Sequence, residues 1–270
     1  MIPAAFAYQR ASSVDEASRL LGQLGADAKV LAGGHSLIPL MRLRLAQPST
    51  LVDINPLQAE LGSIRRDNGS LRIGALARHY QIEASDEVRR GLPLLAEMAG
   101  EVGDLQVRSM GTIGGVLAHA DPAGDYGTLA VMLEATIVTN RRSIAARDFF
   151  TGLFTTPLGA DELITEVVFP VATGPHRYEK FRRRMSDWAI VGVAAQRMED
   201  GSWRVGVTNA APTPVRASGV EQALAGGASV AEAARAADQG LDPVSDLRGS
   251  AEYKRHLATV LAQRAIEAAA

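Results

Sequence analysis

Two glycine-rich segments are the residues of this sequence whose types and spacing most clearly indicate chemistry. Residues 33–36 read Gly-Gly-His-Ser, and residues 111–115 read Gly-Thr-Ile-Gly-Gly. Backbone N–H groups in such segments, followed by the start of a helix, form an anion site, and glycine lets a phosphate approach closely. Two such segments could hold a pyrophosphate from both sides, which predicts a dinucleotide ligand. Neither segment is a P-loop or a GxGxxG fingerprint, and tight turns with helix caps remain the alternative.

Ser36 allows a different interpretation, which is nucleophilic catalysis. Gly34, His35 and Ser36 match the beginning of a GxSxG nucleophile elbow, in which a serine lies between a strand and a helix. That motif needs a glycine two residues after the serine, where this sequence has Ile38. The sequence therefore favours Ser36 as a helix N-cap and phosphate contact, with a serine hydrolase as an alternative.

A polar cluster follows the second glycine segment. His119, Asp121 and Asp125 are spaced so that they could share a metal ion, but the sequence offers no obvious fourth ligand nearby. Pro122 and Gly124 indicate a rigid turn, in which carboxylates cap the turn or accept hydrogen bonds from hydroxyl groups. The ribityl or ribose hydroxyls of a dinucleotide are suitable donors, so we predict no metal site here.

A basic run and an aromatic residue stand together further along the chain. Residues 180–184 read Lys-Phe-Arg-Arg-Arg within a predicted strand, and Trp188 follows in a predicted turn. Alternation along a strand sends these charges to both faces of the sheet. The run is either a solvated edge strand or a contact for an anionic ligand or a partner. Trp188 is either a half-buried anchor or a ring stacked near a cofactor.

The elements that must position these residues begin with a β-α-β pattern. Ser13 and Glu16 have the spacing of a capping box, and the apolar residues after them share one face of a helix over residues 13–24. The pattern continues through a strand at 29–32, a helix at 37–44 and a strand at 51–54. The first glycine segment therefore follows directly on a strand.

A linker over residues 171–175, which follows Pro170 and ends in Pro175, divides the rest of the chain. The pattern before the linker predicts an α+β unit, and the pattern after it predicts three strands followed by helices. Ser250 is the predicted N-cap of the last helix. The predicted elements are strands at 71–75, 136–139, 162–169, 178–184, 189–198 and 203–208, and helices at 93–102 and 127–135.

Length and composition limit the class of protein. The chain has 270 residues, 28 Lys+Arg against 30 Asp+Glu, a net charge of -2 and no cysteine. With 47% hydrophobic residues it is globular, and its length fits two or three domains. Near-neutral charge argues against a nucleic-acid binder. Because we find no signal-peptide pattern and no apolar run of about 18 residues, we expect a cytoplasmic protein without a transmembrane segment.

Six motifs in a fixed order are together specific. They are residues 2–3 (Ile-Pro), 31–39 (Leu-Ala-Gly-Gly-His-Ser-Leu-Ile-Pro), 51–54 (Leu-Val-Asp-Ile), 111–115, 119–122 (His-Ala-Asp-Pro) with Asp125, and 180–189 (Lys-Phe-Arg-Arg-Arg-Met-Ser-Asp-Trp-Ala). In this order they resemble the FAD-binding medium subunit of molybdenum hydroxylases, the family of the carbon monoxide dehydrogenase medium subunit and the xanthine dehydrogenase FAD-binding subunit.

The resemblance implies an α+β fold with three parts. Two FAD-binding subdomains similar to the vanillyl-alcohol oxidase type precede a C-terminal domain that has a small antiparallel sheet and helices. The expected boundaries are 1–55 for the N-terminal β-α-β subdomain, 56–172 for the second, α+β subdomain, and 176–270 for the C-terminal α+β domain.

The resemblance also implies FAD as the cofactor of this chain. Backbone N–H groups of both glycine segments would hold the pyrophosphate, and Asp121 and Asp125 would lie along the ribityl and pyrophosphate region. The isoalloxazine ring would lie near the apolar Leu163 and Ile164, the aromatic Trp188 and the basic Lys180. No catalytic acid or base is expected. The implied FAD-binding residues are Ala32, Gly33, Gly34, His35, Ser36, Leu37, Thr112, Ile113, Gly114, Gly115, Asp121, Asp125, Leu163, Ile164, Lys180 and Trp188.

The lack of cysteine bears on where the other cofactors lie. Complexes of the family pass electrons from a molybdenum centre through two [2Fe–2S] clusters to FAD, and a chain without cysteine cannot ligate such clusters through thiolates. We expect the molybdenum–pterin cofactor on a large subunit and the clusters on a small one, in a dimer of heterotrimers. This chain would pass electrons to an external acceptor. The alternatives are a stand-alone FAD oxidase or dehydrogenase and a non-catalytic dinucleotide-binding module.

Overall fold

The structure of the chain is a computed structural model that describes residues 2–270. Its strands form three separate sheets, which follow one another along the chain and are each accompanied by helices. The predicted α+β class is therefore confirmed. Within residues 2–270, no helix is both long enough and apolar enough to cross a membrane.

The first sheet is parallel, with the strand order β1-β3-β2. Its elements are strands β1 (Ala7–Arg10), β2 (Ala28–Leu31) and β3 (Thr50–Asp53), with helices α1 (Val14–Leu24) and α2 (Leu37–Arg42) between them. The predicted strand–helix–strand order around the first glycine segment is confirmed, whereas the mostly exposed β1 has no pattern that predicts it. Parallel pairing brings the carboxyl ends of β2 and β3 to the same edge, where polar loops can meet.

Helix α1 begins with half of the predicted capping box. The Ser13 hydroxyl oxygen accepts a hydrogen bond from the Glu16 amide at 3.1 Å, as the spacing predicts. The Glu16 carboxylate, however, accepts from the main-chain amide and the hydroxyl of Ser12 instead of from the Ser13 amide. The buried face of α1, with Ala17 and Leu21, packs in the same core as strand β3.

The second sheet is antiparallel and has five strands in the order β4-β5-β8-β6-β7. The sheet shares one core with six of the helices that accompany it, α4, α5, α6, α8, α9 and α10. The strands are β4 (Ile64–Asp67), β5 (Ser70–Gly74), β6 (Thr136–Thr139), β7 (Ser143–Ala145) and β8 (Ile164–Pro170). The helices are α3 (Gln58–Leu61), α4 (His79–Ala84), α5 (Asp86–Gly91), α6 (Pro93–Gly100), α7 (Leu105–Met110), α8 (Ile113–His119), α9 (Asp125–Met132) and α10 (Ala146–Phe149).

The third sheet is antiparallel, with the order β12-β11-β10-β9. Its strands are β9 (His176–Phe181), β10 (Val191–Arg197), β11 (Trp203–Thr208) and β12 (Val215–Arg216), followed by helices α11 (Ser218–Ala225), α12 (Val230–Ala234) and α13 (Ala251–Ala268). Ser250 caps α13 as predicted, because its hydroxyl accepts from the Tyr253 amide. Helix α13 packs on β9 and β10, while helix α9 of the second unit packs on β11.

Two predicted elements differ from the structure where the candidate site lies. Strand β9 ends at Phe181, so the arginines of the basic run lie beyond it. Gly114 and Gly115 lie inside the first turn of α8, whose N-cap is Thr112, and not in a turn that precedes the helix. The second glycine segment is therefore mostly helix.

Candidate functional site

The two glycine segments lie against each other. A β-carbon placed on Gly33 would be 2.4 Å from the Met110 carbonyl oxygen and 2.9 Å from the Gly111 α-carbon. Real β-carbons do not come so close to other atoms, so this contact between two main chains requires glycine. The next residue, Gly34, has a φ of +73°, in the left-handed region that favours glycine. We call the contact of residues 33–34 with residues 110–111 the glycine joint.

The first glycine segment is accessible from outside. Its half-buried residues are Ala32, Gly33, Gly34 and Leu37, and its exposed residues are His35 and Ser36. At the start of α2 the Ile38 amide already donates to the Gly34 carbonyl at 2.9 Å, and Pro39 has no N–H. Ser36 is the N-cap residue of α2, as predicted, but its side chain makes no capping hydrogen bond. Its predicted role as a phosphate contact stays a prediction.

The second glycine segment is closed. The Ile113 amide donates to a main-chain carbonyl at 3.1 Å, the Gly114 amide donates to the Ala75 carbonyl at 2.9 Å, and the Gly115 amide donates to the Thr112 hydroxyl at 3.1 Å. These three N–H groups already have acceptors within the protein, and their predicted contact with a pyrophosphate stays a prediction. A β-carbon on Gly114 would lie 2.6 Å from that of Ala75. The glycine at this position lets α8 pack closely on the chain before α4.

Two polar side chains bridge the glycine joint. The Asn55 amide nitrogen donates to the Ala32 carbonyl at 2.9 Å, and the Asn55 amide oxygen accepts from the Arg78 guanidinium at 2.5 Å. The other terminal nitrogen of Arg78 donates to the Met110 carbonyl oxygen. The chain of contacts thus runs from the first glycine segment to the residue just before the second. We call the Asn55–Arg78 pair the joint clasp.

Asp53 fixes the orientation of Asn55. One carboxylate oxygen of Asp53 accepts from both nitrogens of Asn55, the main-chain one at 2.9 Å and the side-chain one at 2.6 Å. The other oxygen accepts from the Tyr8 hydroxyl. Burial alone would raise the pKa of Asp53, but these hydrogen bonds outweigh it and lower the pKa. Asp53 is therefore ionised at neutral pH.

His79 lies buried beneath the joint. Its Nδ1 is 3.1 Å from the hydroxyl of Tyr126, which is also buried. Burial, together with smaller effects of the neighbouring His35, Arg78 and Arg108 side chains, lowers the pKa of His79 to about 3. The ring is therefore neutral at physiological pH and acts as part of the packing under the glycines.

Asp125 and Lys180, two predicted FAD contacts, are paired with each other. The Lys180 ammonium is 2.8 Å from the Asp125 carboxylate, and both side chains are almost completely buried. Lys180 also donates to the Glu101 carbonyl at 2.9 Å, and the Tyr178 hydroxyl donates to Asp125. An ion pair so enclosed joins α9 to β9. The predicted contacts of Asp125 and Lys180 with FAD stay a prediction.

A cleft lies beside this ion pair. The Arg182 guanidinium pairs with the Glu101 carboxylate, so Lys180 and Arg182 together hold the chain after α6 against the third sheet. Arg183, which lies beyond the end of β9, donates to the Leu247 carbonyl at 2.9 Å. The cleft has a volume of about 260 Å³. It is lined by Gly100, Glu101, Gly103, Asp104, Leu105, Arg108, Arg182, Met185 and Ser186.

Leu163 and Ile164 do not face the cleft. Leu163 packs in the core of the first sheet and Ile164 in the core of the second, and they are only 5% and 6% exposed. Leu163 and Ile164 therefore join two cores. Their predicted place beside the isoalloxazine ring stays a prediction.

Trp188 and Asp121 lie at the surface. Trp188 is 58% exposed, two residues beyond the cleft lining, and the Arg248 guanidinium stacks over its ring at 5.3 Å. Asp121 accepts from the Ala123 amide at 2.9 Å, which is the turn-capping role that the sequence predicts. Among residues 2–270, no three His, Asp or Glu side chains are grouped as a metal site would need.

Comparisons with known protein families agree with this geometry. Residues 4–172 match the FAD binding domain in molybdopterin dehydrogenase, and residues 176–269 match the CO dehydrogenase flavoprotein C-terminal domain. The chain belongs to this family of FAD-binding subunits. The resemblance inferred from the motifs is therefore confirmed, as is a place among the molybdenum-containing oxidoreductases.

Relatives in the family match over nearly their whole length. The carbon monoxide dehydrogenase medium chain of Hydrogenophaga pseudoflava is 42% identical, over 100% of this chain and 98% of the relative. The glyceraldehyde dehydrogenase medium chain of Sulfolobus acidocaldarius is 36% identical, over 99% of both chains. The xanthine dehydrogenase FAD-binding subunit of Escherichia coli O157:H7 is 27% identical, over 97% of this chain and 95% of the relative.

Solved structures of the family have the same fold. A carbon monoxide dehydrogenase structure from Hydrogenophaga pseudoflava, which lacks the Mo-pyranopterin moiety of its cofactor, matches with a TM-score of 0.95 and 44% identity, over 100% of this chain and 98% of that one. Quinoline 2-oxidoreductase from Pseudomonas putida 86 matches with a TM-score of 0.93 and 32% identity, over 100% and 98%.

Sequence reasoning about this family member missed the joint clasp and Glu101. The prediction from sequence relied on the glycines, although one feature of the sequence could have indicated Asn55. Asn55 stands in an Asn-Pro pair directly after a buried strand that ends in Asp53, and polar residues at the carboxyl ends of parallel strands often face a ligand crevice. Nothing comparable marks Arg78 or Glu101, because their partners lie in distant parts of the chain. Arg78 donates to the Met110 carbonyl and the Asn55 side chain, and Glu101 is contacted by Lys180 and Arg182.

Replacing Lys180 by methionine tests whether it serves folding or the cofactor. Lys180→Met leaves Asp125 buried without its cation, so we expect the free energy of unfolding in urea to fall by about 3–5 kcal/mol. Arg177→Met, which removes an exposed pair on the same strand, should cost less than about 1 kcal/mol. Normal stability of Lys180→Met combined with loss of flavin would instead show that Lys180 contacts the cofactor.

The neutral His79 predicts a pH dependence of stability. Between pH 6.5 and pH 4.5 the histidine binds a proton in the unfolded chain but not in the folded one. The free energy of unfolding should therefore fall with falling pH, by up to about 1.4 kcal/mol per pH unit. The Glu162 carboxyl, whose pKa is lowered to about 2, contributes only below pH 4.5.

The variant His79→Asn should flatten this slope, as measured by urea unfolding at several pH values in that window. His256→Asn removes an exposed histidine from α13 and should leave the slope as in the wild type. Parallel slopes for His79→Asn and the wild type would contradict the burial of a neutral ring.

Proposed function

We propose that this chain is the FAD-binding electron-transfer subunit of a three-subunit molybdenum hydroxylase. The observation that carries the proposal is the match over the full chain, at 42% identity, to a carbon monoxide dehydrogenase medium chain. When bound, FAD accepts electrons from one redox partner and passes them to another. The polypeptide supplies binding, orientation and exclusion of water.

The proposed partners are a large subunit with the molybdenum–pterin cofactor and a small subunit with two [2Fe–2S] clusters, arranged as a dimer of heterotrimers in the cytoplasm. The lack of cysteine supports this division, since a thiolate-ligated cluster has no ligand in these 270 residues. Electrons would arrive from the small subunit and leave to an external acceptor.

We place FAD between residues 1–55 and 56–172, with its pyrophosphate on residues 32–37. That segment fits the group, because it is accessible, carries glycines at 33 and 34, and lies beside the positive charge of Arg78. The flavin end would extend toward the cleft at Glu101, with Trp188 near its rim. Asp121 keeps its proposed place along the ribityl and pyrophosphate region.

The stand-alone oxidase is the less favoured alternative, because such an enzyme needs a free catalytic base. The buried carboxylates within residues 2–270 are each paired in the structure. Asp53 accepts from Tyr8, Asp125 pairs with Lys180, Glu162 pairs with Arg142, and Glu166 pairs with Arg72. These contacts leave the proposed redox chemistry to the cofactor.

A native pull-down of the chain tests the proposal directly. The visible spectrum, the identity of the released cofactor and the iron and molybdenum contents would be measured. We expect FAD on this chain and iron and molybdenum on two chains that purify with it. The subunit role would be contradicted if the chain purified alone, with FAD and without metals, from a cell that also makes the two proposed partner subunits. A complex without any flavin would contradict the FAD role.

The glycine joint predicts a selective loss of FAD. Gly33→Ala places a methyl group against the Met110 carbonyl and must displace the first segment, so we expect FAD affinity to fall at least about tenfold. Gly22→Ala is the matched control, because its β-carbon lies 3.5 Å from the nearest atom, inside α1. It should leave FAD affinity unchanged and raise stability by about 1 kcal/mol. Equal FAD affinity in both variants, measured by titration, would refute the location proposed for the pyrophosphate.

A further inference from the structure

The joint clasp is rigid on both sides. Arg78 precedes helix α4, and its main-chain amide donates to the Gln81 side chain at 2.8 Å. Its main chain also forms an isolated antiparallel bridge with Thr112. Asn55, for its part, is held by the ionised Asp53. The guanidinium of Arg78 therefore has one defined position at the glycine joint.

The charge of Arg78 is not neutralised by the atoms it touches. Its two terminal nitrogens donate to the Met110 carbonyl and to the Asn55 side-chain oxygen, which are both neutral. The nearby Asp53 carboxylate already accepts from Tyr8 and Asn55. A guanidinium stays protonated at neutral pH even when it is half-buried. The guanidinium charge thus lies beside the accessible first segment, hydrogen-bonded only to neutral acceptors, with the ionised Asp53 carboxylate as its nearby counter-charge.

The second glycine segment strengthens this argument. Its amides at residues 113–115 already have acceptors inside the protein. A dinucleotide with a doubly charged pyrophosphate needs positive charge from another source, and Arg78 lies between the two segments. Arginine also gives a planar fork, which can bridge two acceptors while keeping its orientation.

We propose that Arg78, oriented by Asn55, is the positioning residue of the cofactor site. Its guanidinium holds the first glycine segment against the residue that precedes the second, and its charge attracts the pyrophosphate of FAD. This inference rests on the proposed FAD function. The contacts of the joint clasp stabilise the fold, and the proposal adds a role in binding FAD.

Three variants of the full chain separate charge from geometry. Arg78→Gln removes the positive charge. Arg78→Lys keeps the charge but lacks the planar guanidinium. Asn55→Ala keeps Arg78 but removes the side-chain oxygen that orients its guanidinium. FAD affinity would be measured by titration at low and at high salt, with the chain as isolated, alone or together with the chains that purify with it. Arg19→Gln removes an exposed charge from α1 and serves as the control for net charge.

We expect Arg78→Gln to weaken FAD binding by at least about tenfold at low salt, the size of one charge-assisted hydrogen bond. The salt dependence of its affinity should become shallower, because one attractive charge is lost. Arg78→Lys and Asn55→Ala should bind FAD more weakly than the wild type but keep the salt dependence. Arg19→Gln should resemble the wild type in both measurements.

Two results would overturn the inference. One is wild-type FAD affinity in a folded Arg78→Gln variant. The other is an unchanged salt dependence in that variant, which would show a purely structural contact. If Arg78→Gln does not fold, Arg78→Lys decides, since unchanged affinity there would also overturn the inference. Failure of the wild type to bind FAD at all would refute the proposed function instead, so the two failures are distinguishable.

Discussion

The contact of two main chains at Gly33 and Met110 is the constraint on which the candidate site depends. The chains approach so closely there that no β-carbon fits, and close-packed interiors do not absorb such an overlap by small shifts. The first sheet therefore takes one position against the helices of the second unit. The hydrogen bonds of Asn55 and Arg78 span the same contact and fix how the two main chains are oriented relative to each other. The neutral His79 fills the space beneath, so the joint is supported from inside and bridged from outside.

Helix α9 plays the corresponding role between the second unit and the third sheet. Its apolar residues belong to the core of the second unit, while Gly206 of strand β11 packs so closely on it that a β-carbon would lie 2.6 Å from the Thr128 side chain. The buried pair of Asp125 and Lys180 lies at the start of this helix. Such a pair penalises any arrangement that separates its members, because either charge alone would be buried without a partner. The third sheet is thereby placed to hold Glu101 at the cleft.

The two glycine segments consequently have different tasks, although their compositions are similar. The first is accessible and follows a strand end, which suits a segment that binds a ligand. The second is helical, and its amides at Gly114 and Gly115 are bonded within the protein. Glycine at residue 114 serves packing against Ala75. The asymmetry is the reason for proposing that Arg78, which lies between the two segments, contributes to the cofactor site.

The sequence by itself determined the family, the α+β class, most of the helices and strands, and the importance of the glycines. These follow from local patterns, such as apolar periodicity, the cap at Ser250 and the order of short motifs. Tertiary structure alone decided which polar groups are free. Lys180 and Asp125 read as ligand contacts in the sequence, but each is the other's partner across two units of the fold. Arg78 carries no local signal, because its acceptors come from distant residues. The pairing of a charge depends on what packs around it, and a linear pattern does not contain that information.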